Sequence, residues 1–279
     1  LPGTDFDMGP GGKGSNQAVG VARMGGSSSF IGMLGKDKLS EIAISMYTEE
    51  GVNTDFVSYT DQLPTGVGVI VLNPQGENFI IIDMAANNLM DASYIVAAED
   101  RIKNSKMIVS VLETPLMTAM KAMELGKRNH ITTLLNPAPA VQIPETHFQY
   151  IDLLTPNESE LRILLGLKPN DPTPTIKLAQ RMQDKGLGTV IVTQGEKGAM
   201  IVTQNDVIEI PSVKVDVVDT TGAGDAFNAG LAVAYAEGKD IVTATQIACC
   251  CGALCCTKLG VVPGIPHRDQ VESLFKKAY

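Results

Sequence analysis

The chain has 279 residues, 44% hydrophobic and 19% charged, enough apolar material for one large core with room for a small appendage. Its 31 acidic against 22 basic side chains give a formal charge of −9, which disfavours nucleic acid and acidic membrane surfaces as partners. No secretory or targeting segment opens the chain, and no apolar run approaches the ~20 residues that span a bilayer, so the cytosol is the expected compartment.

In chain order, the first informative stretch is GPGGKGSNQAVGVARMGG (9–26), where four glycines surround one lysine and open a helix. Such a loop lets backbone approach a ligand closely. It is not a Walker A loop, because Ser15 does not follow Lys13 directly, and no G-x-G-x-x-G follows a long apolar strand. TGVGVIVLN (65–73) and ENFIIID (77–83) then flank PQG, a hairpin signal. From about residue 105 strands and helices alternate: strand 106–112, helix 114–128, strands 131–135 and 151–155, helix 157–167 ending at Gly166, helix 175–187, strand 189–193. GAMIVT and VIEI form a second hairpin, and three helices close the chain. The alternation predicts an α/β fold, a doubly wound, mostly parallel sheet with helices on both faces. With no linker or repeat in view, one domain with a small β lid is expected, the lid drawn from residues 1–10 and about 66–83.

DTTGAGDAFNAG (219–230) is the second glycine-rich helix start. Gly222, Ala223 and Gly224 leave backbone N–H groups uncovered, and Phe227, Leu231, Ala234 and Tyr235 follow at helical spacing before a stop at Gly238. Free amides at a helix N-terminus bind anions. An ionised Asp225 beside an anion is repelled by it, so its presence suggests a chemical role, taking the proton of a hydroxyl that attacks a phosphoryl group. A normal carboxylate pKa suffices for that. All five cysteines, Cys249, Cys250, Cys251, Cys255 and Cys256, lie in IACCCGALCCT. Their spacing matches no zinc site, and a tightly packed helix using Cys as a small hydrophobe is the expectation.

Ligands of open α/β sheets bind at the carboxyl ends of strands, and four loops there carry polar residues. Glu113 follows a strand directly, and Asn136 precedes two prolines. Asn157 with Glu160 nearly makes a capping box, and TQGEKG ends a strand in two glycines. Each has a plain alternative: a solvated loop for Glu113, a strand cap for Asn136, a helix cap for Asn157 and Glu160, a hairpin turn for TQGEKG.

Taken together, GGKGSNQA and DTTGAGDAFNAG resemble the ribokinase branch of the phosphofructokinase B-type (PfkB) sugar kinase family, with LETP, NPAP, TPNESE and TQGEKG in the expected order. The resemblance implies a ribokinase-like fold and ATP-dependent phosphorylation of the primary hydroxyl of a pentose, D-ribose foremost, giving the 5-phosphate. Deoxyribose or another sugar of the family is the alternative within the class, and a non-catalytic sugar- or nucleotide-binding regulator the alternative outside it. By the same resemblance Gly12, Lys13, Gly14, Ser15 and Asn16 hold the sugar with Glu113 and Asp225, the base. Asn157, Thr193, Gln194, Gly195, Gly198, Gly224 and Cys249 line the nucleotide, and Glu160 lies near Mg²⁺ through water. Gly222, Ala223 and Gly224 form the anion hole. Asp219, Thr221, Cys255, Lys258, Gly260 and Gly264 surround an activating K⁺. Apart from the resemblance, the unpaired edges of a short β lid point to a homodimer, and the acidic balance to neither nucleic acid nor membrane as partner.

The family opens on a core strand ending in an Asn and an Asp that grip the sugar. No such strand is expected here, and Asp5 and Asp7 fall in the lid-like segment. Asn87 matches the family pattern in MAANN, whereas Gly264 stands in place of a serine near the cation site, and Cys249 stands where some members carry a histidine.

Overall fold

The computed structural model describes residues 8–72 and 78–279. The strands are β1 (Ser29–Gly35), β2 (Asn53–Thr60), β3 (Val67–Leu72), β4 (Asn78–Asp83), β5 (Met107–Ser110), β6 (Thr132–Leu135), β7 (Leu153–Leu154), β8 (Thr189–Thr193), β9 (Ala199–Val202) and β10 (Val207–Ile210). The helices are α1 (Lys13–Arg23), α2 (Lys38–Glu49), α3 (Ala92–Ala97), α4 (Glu99–Lys103), α5 (Leu116–Arg128), α6 (Glu158–Leu164), α7 (Thr175–Gln183), α8 (Ala223–Ala236), α9 (Ile241–Cys255), α10 (Val261–Gly264) and α11 (Arg268–Ala278).

A six-stranded sheet in the order β10-β9-β8-β7-β6-β5 forms the centre. Strands β5 to β8 run parallel, and β8, β9 and β10 continue as an antiparallel meander. Side-chain alternation sends Leu135, Leu154, Val190 and Val192 into one core and Leu134, Leu153 and Ile191 into the other. The first lies with α5, α6 and α7, the second with α8 and α9, so both faces are covered, as the alternation of elements requires.

The structure differs from the sequence reading in several features, the helices α3 and α4 that it did not predict among them. A parallel pair, β1–β2 with α2 between, precedes the main sheet as a separate two-stranded sheet. The predicted strand 151–155 shrinks to Leu153–Leu154. The chain closes on four helices among the described residues, because the single turn α10 separates α9 from α11.

The hairpin β3–β4 is antiparallel, as its sequence predicts, and pairs with neither other sheet. Its root is tied to the β1–α2 turn: Asp37 caps α2 by accepting from Ser40 N (2.9 Å) and also accepts from Thr65 N (2.7 Å) and Thr65 Oγ1 (2.8 Å). The remaining segments of the expected lid, 1–7 and 73–77, lie outside the described residues.

Candidate active site

Two helices converge to make the site. α1 starts after Gly12, whose φ of 94° suits glycine, and packs on α8. A Cβ on Gly20 of α1 would lie 2.5 Å from Ala229 Cβ of α8, so only small residues permit this approach. It brings the first turn of α1 against the first turn of α8. Asn16 Nδ2 donates to Asp225 Oδ2 at 2.7 Å, and Gln17 Nε2 to Asp225 Oδ1 at 3.2 Å. Asp225 is buried. Burial pushes its pKa above the ordinary carboxylate value, and the Lys13 charge and the two amides pull it partly back. The ordinary pKa expected for the base is thus replaced by a raised one.

At the head of α8, Gly222 adopts φ 82°, and a Cβ there would meet Val261 Cγ1 at 2.4 Å, so both conformation and space demand glycine. Ala223 N bonds Thr220 O and Ala226 N bonds Gly222 O. Between them, the N–H groups of Gly224 and Asp225 have no acceptor among the described residues, as expected for the first turn of a helix. A Cβ on Gly224 would meet nothing within 4 Å. Packing therefore does not explain that glycine.

Across from α8, the N–H of Lys13 donates to Glu113 Oε2 at 2.7 Å, so the loop after β5 caps α1 with a carboxylate. Asn87 Nδ2 holds the carbonyl of Glu113 at 3.0 Å. Burial raises the Glu113 pKa, opposed by the Lys13 N–H and charge. The plain reading of Glu113 as a solvated loop residue thereby fails. Gly14 lies against Phe30 and Val111, Ser15 is buried near Tyr47, and the Oδ1 of Asn16 is buried without a partner among the described residues.

A second cluster follows β7 and β8. Asn157 and Glu160 form a full capping box: Asn157 Oδ1 accepts from Glu160 N and Glu160 Oε2 from Asn157 N, both at 2.8 Å. The helix-cap alternative is therefore real. The same residues also sit at the site, because Asn157 bridges to Thr193 at the end of β8 and Glu160 feels the charges of Lys13 and Asp225. Burial raises the Glu160 pKa. Gly195 (φ 57°) is open, and Gln194 Oε1 is buried without a partner among the described residues. Gly198 is fixed by the fold itself, since its Cβ would fall 2.0 Å from Ile210 O.

Asp219 Oδ1 accepts from Thr221 N (2.9 Å) and Oδ2 from Gly260 N (3.0 Å). Cys255 Sγ reaches Thr221 O at 3.7 Å, and a Cβ on Gly264 would lie 2.7 Å from Cys255 O. The structure thus gathers Asp219, Thr221, Cys255, Gly260 and Gly264 beside the Gly222–Gly224 turn, with Lys258 on the exposed rim. Cys249 is placed differently from a ligand-facing residue: it is 8% exposed, packed in the core cluster with Leu134 and Phe227, and burial pushes its thiol up to about 12. Among the described residues no cluster of three or more His, Cys, Asp or Glu is arranged to hold a metal ion.

Sequence reasoning missed Gln17 and Asn228 as members of the site. Their signal was present, an amide inside an otherwise apolar helical run, but it reads equally as a solvated position.

The profile of pfkB family carbohydrate kinases matches residues 2–268. Ribokinase of Haemophilus influenzae is 33% identical over 278 residues, covering 100% of this chain and 91% of that protein. Deoxyribokinase of Salmonella typhi is 36% identical over 267 residues, covering 95% of this chain and 87% of that protein. Among solved structures, Arabidopsis thaliana ribokinase complexed with ribose and ATP superposes with a TM-score of 0.86 at 30% identity, over 95% of this chain and 87% of that one. The chain belongs to the pfkB family of carbohydrate kinases and is a phosphotransferase with an alcohol group as acceptor.

Proposed function

We propose that the chain transfers the terminal phosphoryl group of ATP to the primary hydroxyl of a pentose, D-ribose foremost. The observation that carries this is the pairing of a buried carboxylate, Asp225, with two N–H groups of its own helical turn that have no acceptor among the described residues. One side of that turn accepts a proton and the other receives an oxyanion, which is what phosphoryl transfer to an alcohol needs. The sugar hydroxyls meet a wall of acceptors in Glu113, Asn16 Oδ1 and Asp225, with Lys13 balancing their charge. The primary hydroxyl gives its proton to Asp225 as its oxygen bonds to phosphorus, and the donor leaves as ADP. The same elements form one domain, and β3–β4, standing outside both sheets, acts as a lid over the sugar.

ATP lies along Asn157, Thr193, Gln194 and Gly195 toward the α8 turn. Glu160, with one oxygen spent on the Asn157 N–H, suits Mg²⁺ held through water and not by an all-protein cage. When bound, that ion screens the charge between phosphates. A monovalent cation fits beside Asp219, where burial is outweighed by bonds from Thr221 and Gly260 that hold the carboxyl below its usual range. Gly264 supplies no hydroxyl there, leaving Asp219 and backbone carbonyls as the oxygens. Compared at matched ionic strength, K⁺ should give faster turnover than a large organic cation, and equal rates would remove the cation from the proposal.

Deoxyribose is the second reading, favoured by the likeness to a deoxyribokinase. ADP release with MgATP and each sugar in turn separates the two through kcat/KM. Turnover with no pentose or hexose would instead leave a binding protein on the kinase fold.

A further inference from the structure

Behind Asp225 the polar side chains close into one circuit. Gln17 Nε2 donates to Asp225 Oδ1 (3.2 Å) and to Asn136 Oδ1 (3.0 Å). Asn136 Nδ2 donates to Thr155 O (3.2 Å), Thr155 Oγ1 to Asn228 Oδ1 (2.6 Å), and Asn228 Nδ2 to Gly224 O (2.8 Å). All of these side chains are buried. The orientation of each amide follows from its neighbours: Gln17 faces two acceptors with its NH₂, which leaves Asn136 to accept and then donate in turn. The circuit begins at the Asp225 carboxylate and ends on the carbonyl of the residue just before it, in the anion-hole turn.

We propose that Gln17 is a positioning residue that sets the plane of the Asp225 carboxylate relative to the 222–225 backbone. The inference rests on the reading of Asp225 as the base. Asn16 alone fixes one oxygen, about which the carboxylate still pivots; the bond from Gln17 to the other oxygen stops that rotation. Gln17 Oε1 is itself buried with no partner among the described residues. An unpaired buried acceptor is unfavourable, so packing alone would favour an apolar side chain of the same length. What Gln17 retains over such a side chain is its donor end, and that end faces Asp225.

The test compares Gln17→Met, Asp225→Asn and the double variant by ADP release, with KM for each substrate and the pH profile of kcat/KM. Gln17→Met should lower kcat by up to about 100-fold, the scale of a small misplacement at a reacting centre, with nucleotide KM unchanged. Its acidic limb should move to higher pH, because the ionised carboxylate loses a donor. Lys13 and Asn16 on α1, Glu113 after β5, Glu160 on α6 and Cys255 on α9 also act on or feel Asp225, and none of them is altered. In the Asp225→Asn background Gln17→Met should cost nothing further. If Gln17→Met does not fold, Gln17→Glu keeps the shape and should move the limb further upward. A wild-type acidic limb in the folded variant, or a kcat loss additive with Asp225→Asn, overturns the inference. Wild-type turnover in Asp225→Asn overturns the reading beneath it.

Discussion

Burial lifts the pKa of Asp225, and the Lys13 charge and the hydrogen bonds from Asn16 and Gln17 oppose that rise. Turnover should fall as pH drops through that raised value, so the acidic limb should lie above the ordinary carboxylate range. The sign for stability is opposite. A carboxyl whose pKa rises on folding binds its proton more tightly in the native state, so it supports the fold at low pH and opposes it above the raised pKa. Asp225→Asn removes that opposition, and Asn16, whose Oδ1 has no partner among the described residues, can turn its amide to accept from the new NH₂. Above that raised pKa the variant should therefore melt higher than wild type and still bind nucleotide, while kcat falls by about 10²–10⁴, the usual worth of a positioned base. A helix cap would predict near-normal turnover, because asparagine caps about as well as aspartate. Melting curves and turnover from one preparation decide between them. This residue was legible in the sequence because glycines on one side and an apolar run on the other leave few uses for a carboxylate. Gln17 was not legible, since its role depends on Asn136, more than a hundred positions away in the chain.

At the scale of elements, β8 was readable to its last residue because TVIVT is an unbroken β-branched run. The unit β1–α2–β2 was not, because Gly32 and Gly35 interrupt SFIGMLG as loop residues would. The structure gives those glycines their reason: a Cβ on Gly32 would meet the Phe30 ring at 2.6 Å, and one on Gly35 would meet Thr65 N at 2.5 Å. β7 shrank because Asp152 turns its carboxylate onto Thr133 N and Pro156 has no N–H for a ladder. The cysteine helix α9 was read as packing, and it packs: Cys250 and Cys251 are fully buried, and a Cβ on Gly230 would strike Cys251 Sγ at 2.4 Å. Burial pushes the Cys250 thiol up to about 11, far from the thiolate that metals and oxidants require. Replacing Cys250 and Cys251 by alanine should lower the melting temperature through lost contacts while KM for both substrates stays put. Stoichiometric zinc in the purified protein, or a folded double variant without activity, would contradict this.

At the scale of the molecule, the hairpin β3–β4 poses a problem of exposure. Two strands alone are marginal in water, and these carry Val67, Val69, Ile70, Val71, Ile81 and Ile82 exposed. Register puts Val69 opposite Ile81, so Val67, Val69, Val71 and Ile81 share one face, with Ile70 and Ile82 on the other. In the proposed lid role the hairpin turns only one face toward the substrate, and the second remains apolar. A chain of net charge −9 gains solubility from its charge, which makes an uncovered strip of branched aliphatic side chains the exception on its surface. Pairing the hairpins of two copies would cover that strip and the open strand edges together. We therefore expect a homodimer at micromolar concentration in sedimentation. The double substitution Val69→Lys with Ile81→Glu keeps an attractive cross-strand pair within the hairpin while breaking the apolar face at its centre. It should give a monomer whose melting temperature no longer depends on protein concentration and whose KM for the sugar is raised, because an unsupported lid closes less often. A wild-type chain that sediments as a monomer at ten-micromolar concentration would end the dimer proposal. A double variant that remains dimeric would move the interface to another surface.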